Sequence, residues 1–241
     1  MTTKVVSHTK LLLIVTAVGV EQHAISPVVK HWLSETPAAV RSPRYENIIV
    51  EQLGVRSSRL GEVMPRYAHC HLAGIISAGL GGGLDPELAI ADVVIDQDSH
   101  ECARVLDFIN AMSGGQRCQL GKMYTSKQVI ARPDEKKELF QKTGCNVVDM
   151  ESRRIRDYAT RHNTPWLGVR AISDTAFDAM PKEFVRMLDE GGNISFLKLA
   201  SSLAASPSLL KHMLRLRRTS HDAARQLANT IGAIIRSGWP F

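Results

Sequence analysis

Aromatic residues make up only 5% of this 241-residue chain, and none stands among the arginines towards its C-terminal end. A basic surface that binds nucleic acid by stacking needs ring faces for the bases, so the shortage argues against nucleic acid as a partner. The four cysteines, Cys70, Cys102, Cys118 and Cys145, lie far apart, with no Cys-x-x-Cys pair and no Cys/His zinc spacing. Free thiols in a reducing compartment are expected, and no metal. The segment His69-Cys70-His71 does not alter this, because adjacent residues on a strand point to opposite faces. No run approaches the ~18 continuous apolar residues of a membrane span. The N-terminal run from Leu11 to Val20 lacks a small-residue cleavage site and flows into a helix start. It therefore reads as a first strand, and the expected location is cytoplasmic. Repeats and low-complexity segments are missing, and so are the common nucleotide loops. Gly79 and Gly81 open a dinucleotide fingerprint whose third position is Leu84; Gly115 to Lys122 is one residue too long for a phosphate loop and is followed by Met123.

What is present is an ordinary globular composition, 44% hydrophobic and 22% charged, at a length that suits one large α/β domain. The net charge of +6 is unevenly placed. Lys211, Arg215, Arg217, Arg218, Arg225 and Arg236 face a single acid, Asp222, beyond residue 207, which leaves the rest of the chain nearly neutral. Leu209, Leu210, Met213, Leu214 and Leu216 crowd beside these basic residues. The pattern suits either a helix packed on the domain with a solvated basic face, or an amphipathic contact of residues 207–225 with anionic membrane.

Buried strands are expected at Leu11–Val18, Ile48–Leu53, Leu72–Ala78, Ala91–Ile95, Leu120–Thr125, Asn146–Val148 and Trp166–Ile172. Residues 34–47 read as a loop, and Ser57–His69 as a helix interrupted at Pro65. A helix follows Glu21 with Pro27 in its first turns, another runs from Asp134 to Lys142 behind Pro133, and a third lies between Met150 and Asn163. Residues 194–237 suggest two helical stretches split at Pro207. Glycines 79 and 81–83 read as a loop that permits positive φ and close backbone approach to a ligand. Asp96, Asp98, His100 and Glu101, after the strand at Ala91–Ile95, read as a solvated loop, although they lie at the strand end expected to face the pocket.

The segment 146–178 carries the strongest chemical signal. Two strands, each ending in an acid (Glu151 and Asp174), flank one helix, and open α/β sheets bind ligands at such strand ends. The pattern alone leaves open a plainer account, with Glu151 at a helix N-terminus and Asp174 capping a turn. Glu21 has the same ambiguity, since a carboxylate is favoured at a helix start.

VVDMES and VRAISD resemble the paired signatures of the nucleoside phosphorylase/nucleosidase superfamily, at the usual separation. The resemblance implies a three-layer α/β fold with a mixed, mostly parallel sheet flanked by helices: a domain over 1–192 and a helical C-terminal extension, 193–241, packed on it. It implies that Met150 and Glu151 grip a ribose, that Asp174 faces a purine ring with Ser173 in support, and that Glu21, in VTAVGVEQHA, activates the attacking water. Gly79, Leu80, Gly81 and Gly82 would line the sugar and the nucleophile, and main chain near Val129, Ile130 and Ala131 would hold the base. The activity implied is N-glycosidic cleavage with no cofactor, on a small-molecule or lipid-linked nucleoside, in a homodimer. Phosphate is an alternative co-substrate to water, with Arg41, Arg44, Arg56 and Arg59 available to bind it. Leu80 stands where the common nucleosidase pattern has a small hydroxyl residue. Gly-Leu-x-Gly-Gly-Leu-Asp-Pro and the Leu/Arg-rich tail are more similar to the hopanoid-associated branch, whose substrate is adenosylhopane.

Overall fold

A computed structural model describes residues 10–36, 45–112, 117–180 and 207–241, with side chains in the last stretch from residue 214 onward. Strand β1 (Lys10–Thr16) is apolar on both faces because both are covered. Leu12 and Ile14 pack towards helices α1 (Gly19–Glu35), α3 (Cys102–Met112) and α6 (Pro207–Ser237). Leu11, Leu13 and Val15 pack on the other side with Ile155 and Ala159 of α5 (Ser152–Arg161) and Val63 of α2 (Leu60–Val63). These are the three layers expected.

Among the described residues the sheet has eight strands. Its main path runs β2 (Asn47–Gln52), β1, β3 (His71–Gly83), β8 (Trp166–Asp174), β4 (Val93–Asp96), β5 (Cys118–Gly121). β6 (Met123–Thr125) pairs with β7 (Val147–Asp149), which lies antiparallel on the end of β3. The β1, β2, β3 and β8 pairings are parallel, whereas β4 runs antiparallel to β8. α4 (Pro133–Thr143) precedes β7 and ends on Gly144 in the left-handed region.

Several expectations need correction. The glycines from 79 to 83 are not a loop but the last residues of β3, and none has positive φ. Their smallness serves close packing: a Cβ on Gly81 would lie 2.6 Å from Val147 Cγ1. Pro27 sits inside α1, and the helix expected at 57–69 is a short α2 followed by a 3₁₀ turn at Met64–Tyr67. The strand expected at 120–125 divides into β5 and β6 at Lys122. α6 begins at Pro207; the helical stretch expected before it, and the boundary at 192/193, lie outside the described residues.

α6 buries Ala223, Ala224, Leu227, Ile231, Ile234 and Ile235 against α1, α3 and the sheet, while Leu214, Arg215, Arg217 and Arg218 are exposed. Beyond it Trp239 is buried under β3, where a Cβ on Gly74 would come within 2.8 Å of its ring, and its Nε1 donates to His100 O at 3.0 Å. No helix among the described residues is long and apolar enough to cross a membrane.

Candidate active site

Glu21, Ile25 and Val29 recur at every fourth position of α1 and form its buried stripe. The face that drives Ile25 and Val29 into the core therefore drives Glu21 inward as well. Its Oε2 accepts from Ala17 N (2.7 Å) and Val18 N (2.9 Å), and its Oε1 from Leu80 N (2.8 Å). Burial pushes this carboxyl above its ordinary value, against the pull of those main-chain bonds and of Arg170. Gly79 supports the arrangement from behind: a Cβ there would stand 3.1 Å from Glu21 Oε1.

At the next strand end, Asp149 and not Glu151 holds the start of α5. Ser152 N donates to Asp149 Oδ2 at 2.9 Å, whereas the Glu151 side chain makes no capping bond. Glu151 accepts from Arg56 N (2.9 Å) and Met150 N (3.2 Å). Arg56 presents its N–H from a turn in which Arg56 and Ser57 both have positive φ, and Arg154 Nη1 braces that turn through Arg56 O at 2.7 Å. Burial, the nearby Asp149 charge and, to a smaller degree, Glu21 push the Glu151 carboxyl up to about 7, against Arg170 and the Arg56 N–H.

Arg170 connects these acids. It is buried in β8, its Nε and Nη2 reach Asp149 Oδ2 at 2.9 and 2.6 Å, and it also donates to Ser77 O and Ser77 Oγ. Burial works against its charge, but Asp149, Glu151 and Glu21 outweigh that cost and raise its pKa. One buried cation thus stands among three carboxyl groups.

The pairing of β3 with β8 shifts between Gly81 and Gly82, so that Ile172 faces Gly81, Asp174 faces Gly82, and Ser173 is the extra residue. A bulge of this kind re-aims the side chains beside it. Ser173 Oγ donates to Asp174 Oδ1 at 2.8 Å. Asp174 does not cap the following turn; Asp178 does, accepting from Thr175 N and Oγ1. The other Asp174 oxygen receives Lys136 Nζ of α4 at 2.5 Å.

These groups surround one cleft of about 200 Å³. Glu21, Leu80, Gly81, Gly82, Ile130, Met150, Glu151, Ser173 and Asp174 all line it, with Gln128, Val129 and Met180 closing the side next to Ile130. Of the expected site residues Gly79 lies off the wall, one layer behind Glu21, and so does Ala131. The acidic group after β4 is elsewhere: Asp96 lines a separate cavity with Thr125, Arg156 and Trp166. β4 is antiparallel to β8, so its C-terminal end reaches the opposite edge of the sheet. Sequence reasoning missed Asp149, Arg170 and Lys136. For Arg170 the signal was an arginine inside an otherwise apolar strand, which demands a buried carboxylate.

A sequence model of the phosphorylase superfamily matches residues 102–204. The whole fold matches 5′-methylthioadenosine/S-adenosylhomocysteine nucleosidase from Helicobacter pylori at a TM-score of 0.65 and 14% identity, covering 95% of this chain and 99% of that one. This is a chain with the phosphorylase-superfamily fold. Other structures with this superfamily fold are similar to it. Futalosine hydrolase of Helicobacter pylori matches at 0.62 and 14%, over 95% and 98% of the two chains. The 5′-methylthioadenosine/S-adenosylhomocysteine nucleosidase from Neisseria meningitidis, in complex with methylthio-immucillin-A, matches at 0.65 and 14%, over 95% and 99%. No curated protein matches the sequence. The resemblance of the two signatures holds at the level of the superfamily, and the hopanoid branch is a narrower question.

Proposed function

We propose that the cleft breaks the N-glycosidic bond between a purine and the ribose of a 5′-substituted adenosine. The observation that carries this reading is the convergence of Glu21, Glu151 and Asp174, delivered by three different elements, on one cavity. As the bond breaks, its electron pair leaves with the purine and the sugar becomes an oxocarbenium ion, so carboxylates that face the sugar act on charge that exists only in the transition state. Glu151 binds the ribose hydroxyls and stabilises that cation. Asp174 hydrogen-bonds the purine ring and passes it a proton. Glu21 receives a proton from the attacking water. Two main-chain donors occupy its Oε2 and one occupies Oε1, which leaves one lone pair on Oε1 for that proton.

Water is favoured over phosphate as the nucleophile. Of the candidate phosphate ligands among the described residues, the Arg56 main chain serves Glu151 and the Arg59 guanidinium is bonded to Glu62; Arg41 and Arg44 lie outside the described residues and do not bear on this preference. For the 5′ substituent, the presence of Leu80 on the wall supports a bulky apolar group such as the hopane of adenosylhopane. The turn after Asp174 also carries Phe177, 72% exposed. A contact of residues 207–225 with anionic membrane would suit such a substrate. Leu214, Arg217 and Arg218 are exposed, Arg215 is engaged by Asp178, and the side chains of Leu209, Leu210, Lys211 and Met213 lie outside the described residues. The likeness in fold to the nucleosidases and to futalosine hydrolase favours a second reading, a nucleosidase for a small 5′ substituent. A homodimer is part of the proposal.

Adenine release is the test, measured on 5′-methylthioadenosine, S-adenosylhomocysteine and adenosylhopane with and without phosphate. Faster release from adenosylhopane supports the narrower reading, and faster release from methylthioadenosine the second; no release from any of them defeats both. Co-sedimentation with anionic liposomes at low and high salt tests the membrane contact, and sedimentation velocity tests the dimer.

A further inference from the structure

Lys136 is the fourth residue of α4 and is fully buried. Neither fact suits a lysine. An ammonium in the first turn opposes the helix dipole, and an ammonium out of water is stable only when its donors are all used. Here all three protons have acceptors: Asp174 Oδ2 at 2.5 Å, Thr175 O at 2.6 Å and Asp178 O at 3.3 Å. The two main-chain acceptors would hold any donor, but the carboxylate belongs to the cleft wall.

Ser173 Oγ donates to Oδ1 and Lys136 Nζ to Oδ2, so both oxygens of Asp174 already accept bonds before substrate arrives. A purine ring that leaves as the C1′–N9 bond breaks needs a proton, and a carboxylate anion has none to give. The nearest is on Lys136. We propose that Lys136 is the proton reserve for Asp174, a positioning residue that acts on the substrate through that carboxyl group. This rests on the glycosidic cleavage proposed above. As the C1′–N9 electron pair moves onto the purine, ring N7 takes a proton through Asp174, and Asp174 takes one from the Lys136 ammonium. The amine left behind regains a proton from solvent after the base departs, so charge and atoms balance over a turnover.

The charged groups around the pair come from three elements. Asp174 is on β8, Asp178 follows it with its carboxylate held by Arg215 of α6, and Asp134 and Glu135 on α4 itself point outward. Glu21 and Glu151 titrate in every variant, so the ratio of wild type to variant isolates the contribution of Lys136.

The experiment compares wild type, K136M and K136R for adenine release from pH 5 to pH 9. The substrate is whichever of 5′-methylthioadenosine, S-adenosylhomocysteine and adenosylhopane wild type cleaves fastest, and melting curves accompany the assays. K136M removes the proton and keeps the bulk. K136R keeps the charge on a group that does not give up its proton in proteins. Both should lose kcat far more than they change KM, by ~10²–10³-fold at pH 8. The loss should shrink at least tenfold (order of magnitude) by pH 5, where the higher hydronium concentration stands in for the missing ammonium as proton source. A loss that is the same at every pH would make Lys136 a scaffold residue and overturn the proposal. So would a K136R variant as active as wild type at pH 8, or the failure of both variants to fold. If wild type releases no adenine from any of the three nucleosides, the failure lies with the proposed activity, and this inference falls with it.

Discussion

Glu21 and Asp174, two acids of one cleft, are held by different means. Glu21 is gripped by three main-chain N–H groups, so its position follows from the fold; no neighbouring side chain has to be right except that residue 79 must be small. Asp174 is gripped by side chains, Ser173 and Lys136, from two different elements. Main-chain grip gives an acid whose position is insensitive to substitution around it. Side-chain grip gives an acid whose proton can be tuned by one or two changes, and it places that control in α4, which forms no other part of the chemistry.

The sharpest way to break the contrast is at Asp174 itself. D174N keeps the bulk and removes the acid, so kcat for adenine release should fall ~10²–10⁴-fold while nucleoside binding, read by calorimetry, changes little. Near wild-type turnover would remove Asp174 from the mechanism. On the Glu21 side the vulnerable point is the shared cation. R170M leaves Asp149 buried without its partner, and denaturant unfolding should report a loss of ~3–5 kcal/mol.

Glu151 sharpens the comparison through pH. Its carboxyl is raised from 4.5 to about 7, so between those values the folded protein holds a proton that the unfolded chain has released. The stability it contributes is complete below pH 4.5 and is lost as pH rises through 7. Melting temperature should therefore decline across that window, and E151Q should flatten the decline. Activity has the opposite slope: the anion is needed to stabilise the sugar cation, so kcat/KM should climb through pH 7 in wild type. The smallest effect is expected at Arg215, whose bond to Asp178 is largely in solvent. R215A should cost at most ~1 kcal/mol in a melt, less at high salt.

How much of this was legible in the sequence follows the same division. The strands of the main sheet path could be read because runs such as LLLIVTAV are buried on both faces and need no distant information. Glu21, Glu151 and Asp174 could be read because each sits at the end of a strand or the start of a helix. The glycines at 79–83 were misjudged because glycine can mark either a turn or a close approach, and only the position of β7 decides between them. Lys136 was illegible: in DEKKEL it looks like one more solvated helix charge, and its partner is 38 residues away. The acids after β4 were read as a solvated loop, and Asp98 and His100 are exposed, but the strand end they occupy is the far one because strand direction is not written in a strand's own residues.

The lopsided burial of α6 has a consequence for how such a protein changes over generations. Its C-terminal half is locked into the core, and Trp239 pins the segment beyond it beneath β3. Its largely exposed stretch at 214–218 runs past Asp174, where Leu216 shares a small hollow with Ser173, Asp174 and Met180. Mutations in that stretch meet solvent on one side and the cleft region on the other, so on the proposed function they would alter which nucleoside is accepted while leaving the fold almost untouched. Drift and selection therefore have a short, forgiving register in which to explore new substrates, and a library confined to residues 214–218 is the economical place to redirect the enzyme.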